Sequence, residues 1–194
     1  MSRFARIERT TRETRVEVSL ELDGSGEARV ATGVGFFDHL LISLAHHGLF
    51  DLHVTTEGDL EIDDHHTVED TALVLGQAFA QALGDRTGIM RYGDAAVPMD
   101  EALATAVVDA GGRPYAVLDL AFSADRIGAL STQMIPHALE ALAREAGFTL
   151  HLAARGQNDH HVAEAAFKAL ARACRAAVAD NPRREGVPST KGTM

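Results

Sequence analysis

The chain has 194 residues, and 28 Asp and Glu against 18 Lys and Arg give it a formal charge of −10. A hydrophobic share of 46% is ordinary for a chain that buries a core and excludes a disordered protein. The negative balance argues against nucleic acid or an anionic membrane as partner, because both demand clustered positive charge, so any anionic ligand must meet a local group of basic side chains. Cys174 is the only cysteine, which rules out an internal disulfide framework and a zinc site built mainly of thiolates. The start, Met1 to Arg9, lacks the apolar stretch of a signal peptide, and no run approaches the roughly 18 apolar residues of a membrane span. The expectation is a cytoplasmic protein.

In chain order, Val16, Val18, Leu20 and Leu22 alternate with Arg15, Glu17, Ser19 and Glu21, and Asp23-Gly24-Ser25-Gly26 intervenes before Glu27 to Thr32. That pattern predicts a hairpin with one solvated face. Leu40 to Gly48 is expected to be helical, and residues 50–56 a short strand. Val68, Leu73, Leu75, Phe79 and Leu83 then mark a helix at 3.6-residue spacing. Farther along, Ala138 to Gly147 predicts a helix, 148–153 a strand, and Val162, Phe167, Leu170, Cys174 and Val178 another helix. Strands mixed with helices, without strict alternation, favour an α+β fold over a parallel doubly wound sheet.

The ten histidines are not scattered evenly. Asp64-His65-His66-Thr67-Val68-Glu69 reappears as Asp159-His160-His161-Val162-Ala163-Glu164, so Asp-His-His-x-x-Glu occurs twice. Upstream, Phe50-Asp51-Leu52-His53 answers Phe148-Thr149-Leu150-His151, and Phe37-Asp38-His39 answers Ile135-Pro136-His137. Landmarks in the same order divide the chain into tandem half-domains, 1–94 and 95–187, followed by a tail at 188–194. The period is too long for a solenoid and fits duplication of one small α+β unit.

Asp63 or Asp64, and Asn158 or Asp159, are suitable helix N-caps, which puts each His-His-x-x-Glu in a first helical turn. Residues four apart share a helix face about 5–6 Å apart, whereas neighbours diverge by about 100°. His65 with Glu69, and His160 with Glu164, can therefore each chelate one ion, while His66 and His161 look elsewhere. Each site needs a further donor, for which His39 and His137 are the candidates. If His66 and His161 also cross to another site, in the other half or in a neighbouring chain, each ion gains three imidazoles and a carboxylate. Such a set suits Mn²⁺ or Fe²⁺ with open positions, and zinc would be held by the same donors. A lone histidine is more often a packed or surface residue, and His53 and His151, mid-strand between apolar neighbours, are read that way. The duplicated phrase outweighs that reading at the other positions.

These residues resemble the imidazoleglycerol-phosphate dehydratase family of histidine biosynthesis. The resemblance runs through Arg9 to Thr14, Gly35-Phe36-Phe37-Asp38-His39, Asp63 to Asp70, Arg91-Tyr92-Gly93, Met99-Asp100-Glu101, Gly112-Arg113-Pro114, Asn158 to His161, and Pro188 to Gly192. It implies two halves, each a roughly four-stranded mixed sheet with two helices, the helices packed between the two sheets. It also implies two Mn²⁺ per subunit and a cage of 24 subunits with sites formed between chains. The implied reaction is dehydration of imidazoleglycerol phosphate to imidazole acetol phosphate, through an imidazolate bridging two metal ions. By the same resemblance Glu13 is the acid/base residue, Arg91, Arg113, Lys168, Ser189 and Lys191 bind the phosphate with His47 as a further contact, and the tail covers bound substrate. Two other readings compete: a two-metal hydrolase, and a metal-organised shell without catalysis.

Overall fold

The first unit opens on two strands, β1 (Phe4–Thr10) and β2 (Thr14–Glu21), paired antiparallel around the turn that carries Glu13. Val16, Val18 and Leu20 of β2 are buried on one face, as their alternation requires. β3 (Ala28–Ala31), α1 (Gly35–Gly48) and β4 (Asp51–Gly58) follow as a strand-helix-strand crossover with β3 and β4 parallel, and α2 (His65–Leu83) completes the unit. The second unit repeats the plan with β5 (Tyr92–Met99), β6 (Ala102–Asp109) and β7 (Tyr115–Leu120). A small hairpin, β8 (Arg126–Ile127) with β9 (Leu130–Ser131), is inserted before α3 (Met134–Ala146), β10 (Thr149–Arg155) and α4 (Asp159–Val178). This computed structural model describes residues 3–194, so Met1 and Ser2, the first two positions of the expected first half, lie outside the described residues.

The two main sheets have the same order, β1-β2-β4-β3 and β5-β6-β10-β7. The duplication is thus topological as well as sequential, and the fold is α+β with two four-stranded mixed sheets. Two expectations need correcting. The segment after Asp23-Gly24-Ser25-Gly26 does not fold back on β2, because β4 lies between β2 and β3. The Asp51 carboxylate, at the start of β4, accepts hydrogen bonds from the backbone N–H groups of Ser25, Gly26 and Glu27 and so captures the turn. The division expected after residue 94 falls inside β5, whose pairing is entirely with β6 of the second sheet. The strands therefore separate the units before Tyr92.

The helices lie between the sheets. α2 packs on β1 and β2, α4 packs on β5 and β6, and the halves meet where α1 contacts α4 and α2 contacts α3. At the second crossing a Cβ on Gly76 would stand 2.7 Å from the Leu142 carbonyl oxygen, so only glycine lets α2 and α3 approach this closely. Phe79 of α2 fills the middle of the core, edge-on to Phe50 of its own half at 5.3 Å and to Phe148 of the other at 5.7 Å between ring centroids. α1 and α3 end in the same way, with a left-handed residue, Leu49 in one and Gly147 in the other, followed by a phenylalanine N–H bonded back to Ala45 or Ala143.

Cys174 sits in this core, and burial pushes its thiol up to about 12. A native sample should not react with an aromatic disulfide reagent at pH 8, and unfolding should release one thiol per chain. Fast native reaction would contradict a buried Cys174.

Candidate metal centre

The double-histidine phrases begin α2 and α4 for a local reason. The Asp63 carboxylate accepts the His65 backbone N–H at 2.8 Å, and the Asn158 side-chain oxygen accepts the His160 N–H at 3.0 Å. Equivalent side-chain contacts to a histidine N–H thus start both helices, from Asp63 just before the Asp64 N-cap of α2 and from the Asn158 N-cap of α4. The start of α2 is further tied to the inserted hairpin, since buried Asp64 accepts from the Ser131 hydroxyl at 2.7 Å and from Arg126 at 3.0 Å. Burial works against the Asp64 charge, but these hydrogen bonds prevail and hold the carboxyl below its usual range.

Each helix crossing carries a trio of convergent donors. At the α1–α4 crossing, His39 Nε2 and His160 Nε2 both lie 3.0 Å from Glu164 Oε2. At the α2–α3 crossing, His137 Nε2 lies 3.1 Å from Glu69 Oε1 and His65 Nε2 lies 3.5 Å from Glu69 Oε2. Within each trio the donor atoms fall within 4.8 Å of one another, a spacing that one cation could bridge. The helical pairs His65 with Glu69 and His160 with Glu164 form as their four-residue spacing predicts. The third member always comes from the opposite half: His39 completes the trio on α4, and His137 completes the trio on α2.

Two observations test whether these donors fit a metal ion. His137 Nε2 is buried without a hydrogen-bond partner, although it is aimed at Glu69. In the other trio one carboxylate oxygen faces two imidazole nitrogens, a convergence that a shared cation satisfies directly. Imidazoles with carboxylates are the donors that suit divalent transition metals, so the residues fit. Burial alone would raise the Glu164 carboxyl, but Lys168 and His39 bring it down to about 2, so the oxygen is an anionic donor at neutral pH. Lys168 Nζ is 2.7 Å from Glu164 Oε1. Burial, reinforced by the Lys168 charge, keeps His47 below the ordinary imidazole value.

His66 and His161 join neither trio within the chain. His66 Nδ1 is 3.0 Å from Asp59 Oδ2, and His161 Nδ1 is 2.8 Å from Glu101 Oε2. Asp59 and Glu101 as partners were invisible to motif reading, although Glu101 stands in the Met99-Asp100-Glu101 phrase. The turn bearing Glu13 is fixed by Thr11, whose hydroxyl accepts the backbone N–H groups of Glu13 at 3.1 Å and Thr14 at 3.0 Å, and by the Thr14 hydroxyl, which donates to Asp70 of α2. Glu13 Oε1 stands 3.8 Å from His66 Nε2, and its side chain is 54% exposed.

A separate cavity of about 320 Å³ gathers Arg91, Arg113, Ser189 and Lys191. Arg91 makes a two-pronged contact with Asp109, at 2.7 and 3.0 Å, and its remaining nitrogen donates to the Pro188 carbonyl at 2.8 Å. One guanidinium therefore links the second sheet to the tail, while Arg113, 74% exposed and 3.8 Å from the same Asp109 carboxylate, keeps donors turned to solvent where an anion could meet them.

A family model described as imidazoleglycerol-phosphate dehydratase matches residues 32–174. An imidazoleglycerol-phosphate dehydratase of Acidiphilium cryptum is 55% identical over 100% of both chains. One of Methanococcoides burtonii is 52% identical over 99% of this chain and 100% of its own. Among solved structures, the dehydratase of Staphylococcus aureus superposes with a TM-score of 0.83 at 34% identity, covering 92% of this chain and 99% of the other. The Pyrococcus furiosus protein, solved in complex with (S)-C348, has a TM-score of 0.83 at 32% identity, covering 97% and 100%.

Proposed function

The chain belongs to the imidazoleglycerol-phosphate dehydratase family, hydro-lyases of histidine biosynthesis, and from that premise we propose that it works at two divalent cations, manganese by preference, held on the two trios. The observation that carries this reading is the pair of converging His-His-Glu groups, one at each crossing of helices from opposite halves. Bound there, the ions would supply Lewis acidity and a template for the substrate ring, held between them as an imidazolate.

The chain's own residues supply the rest. Dehydration must take a proton from the carbon beside the ring-bearing carbon and release hydroxide from the latter. Glu13 would carry the proton; its exposure, its turn anchored to α2 and its nearness to His66 support that role. Arg91, Arg113, Ser189 and Lys191 form a basic lining that a phosphate needs in a chain of charge −10; Lys168 and His47 do not line that cavity and would be further contacts from the side of the α1–α4 trio. Residues 188–194 would close over bound substrate, with the Pro188 contact to Arg91 as their anchor. The Nε2 atoms of the half-buried His66 and His161, which join neither trio of their own chain, would reach ions of neighbouring subunits in a cage of 24 chains in the cytoplasm. Among the described residues no helix is long and apolar enough to cross a membrane.

Elemental analysis and a product assay on one sample test this reading. Two equivalents of transition metal per chain, ketone formation without phosphate release, and smaller particles after chelation are expected. Phosphate release without ketone would mark a hydrolase, and metal-free protein with full activity would remove the ions from the reaction.

A further inference from the structure

The duplication supplies a comparison that the two trios do not use. Ile7 faces Val18 in the first hairpin, and Ala95 faces Ala106 in the second, so the strand registers lay Glu13 of the first turn over Glu101 of the second. Equivalent turns thus carry equivalent glutamates, but their surroundings differ. Glu13 is the freer of the two, its nearest basic group being His66 Nε2 at 3.8 Å. Glu101 is captured: it accepts the Gln157 and Asn158 backbone N–H groups at 3.0 and 2.8 Å, and faces His161 Nδ1 at 2.8 Å.

The same comparison at the ends of β4 and β10 runs the other way. Gly58 and Gly156 are equivalent, each pressed so tightly that a Cβ would stand 2.1 Å from Thr67 or 2.7 Å from Ala102. The residues that follow them are Asp59 and Gln157. Asp59 faces His66 Nδ1 with both carboxylate oxygens, at 3.0 and 3.2 Å, whereas Gln157 offers only its backbone N–H, to Glu101. In both halves, then, one carboxylate holds Nδ1 of the second histidine, and the nearest acidic oxygen to Nε2 that forms an ion pair is 3.8 Å away. The carboxylate comes from opposite places in the repeat.

We propose that Asp59 and Glu101 are equivalent positioning residues, each orienting the second histidine of its pair so that Nε2 is presented to a metal ion, and that moving this duty to position 59 in the first half is what leaves Glu13 free for proton transfer. This rests on the two-ion reading above, with His66 and His161 as ligands. The chemistry is general: a carboxylate that accepts the N–H of one imidazole nitrogen fixes the tautomer and ring orientation and makes the other nitrogen a better donor. An ordinary exposed ion pair would contribute little to stability and nothing to metal affinity.

The test is Mn²⁺ affinity and stoichiometry, measured by titration and elemental analysis of full-length wild type, Asp59→Ala, Glu101→Ala, Asp59→Asn and Glu101→Gln, with circular dichroism and thermal unfolding on each. Each alanine variant should keep its fold and one wild-type site while the second weakens by about 10- to 100-fold. Asn and Gln, whose amide oxygen still accepts the Nδ1–H, should recover most of the affinity. Alanine variants that bind both ions like wild type would overturn the proposal, as would amide variants that lose as much as alanine. Wild type that takes up no Mn²⁺ would instead overturn the two-ion reading itself.

Discussion

Glu13→Gln should leave the chain folded, metal-loaded and assembled while lowering kcat by about 10²- to 10⁴-fold, the usual contribution of a positioned acid/base group. The side chain is exposed and its turn is held by Thr11 and Thr14, so the substitution removes no packing and no anchor. Gln keeps the shape and loses only the ability to accept and release a proton. Steady-state kinetics beside elemental analysis checks the result. Turnover within a few-fold of wild type at full metal content would take the proton step away from Glu13, and unaltered binding with no turnover in either protein would favour a metal-organised shell.

The second large effect is on stability. Phe79 is almost wholly buried between Phe50 of its own half and Phe148 of the other, so Phe79→Ala opens a cavity at the seam. The expected cost is about 3–5 kcal/mol, the range for deleting a buried phenylalanine, plus loss of two edge-on ring contacts. Chemical denaturation should show a lower midpoint, and the loss should exceed that of Leu83→Ala, at the end of the same helix and 6% exposed. A loss under about 1 kcal/mol would mean that the halves do not depend on this ring, against the range for such sites.

Much of the centre is legible in the sequence, because its signals are local. The four-residue spacing from His65 to Glu69 and from His160 to Glu164 is a property of one helical turn, and a polar residue before each helix, Asp63 or Asn158, accepts a histidine backbone N–H. The apolar positions expected on α2 and α4 are buried as their spacing requires, except Leu73, which is only partly buried. What stayed hidden was non-local. Nothing in Glu27 to Thr32 says that β4, reached only after α1, inserts beside β2, because a parallel partner lies a whole helix away in sequence. The helices at 35–48 and 134–146 also start earlier than their apolar spacing suggested, since Phe36 and Phe37, or Met134 and Ile135, already belong to the first turn. Likewise the sequence pairs His39 with His137 as counterparts but cannot say that each serves the opposite half, and the partners Asp59 and Glu101 follow no motif that repeats.

The exchange of His39 and His137 between trios bears on how such a protein could arise. A polypeptide half this long would carry the helical pair of one trio and the lone imidazole of the other, and by itself would complete neither. Two copies related by a twofold axis would complete both at once. Fusion of the genes would then make covalent a pairing of donors that neither half completes alone, and leave the twin sites to drift apart in their carboxylates.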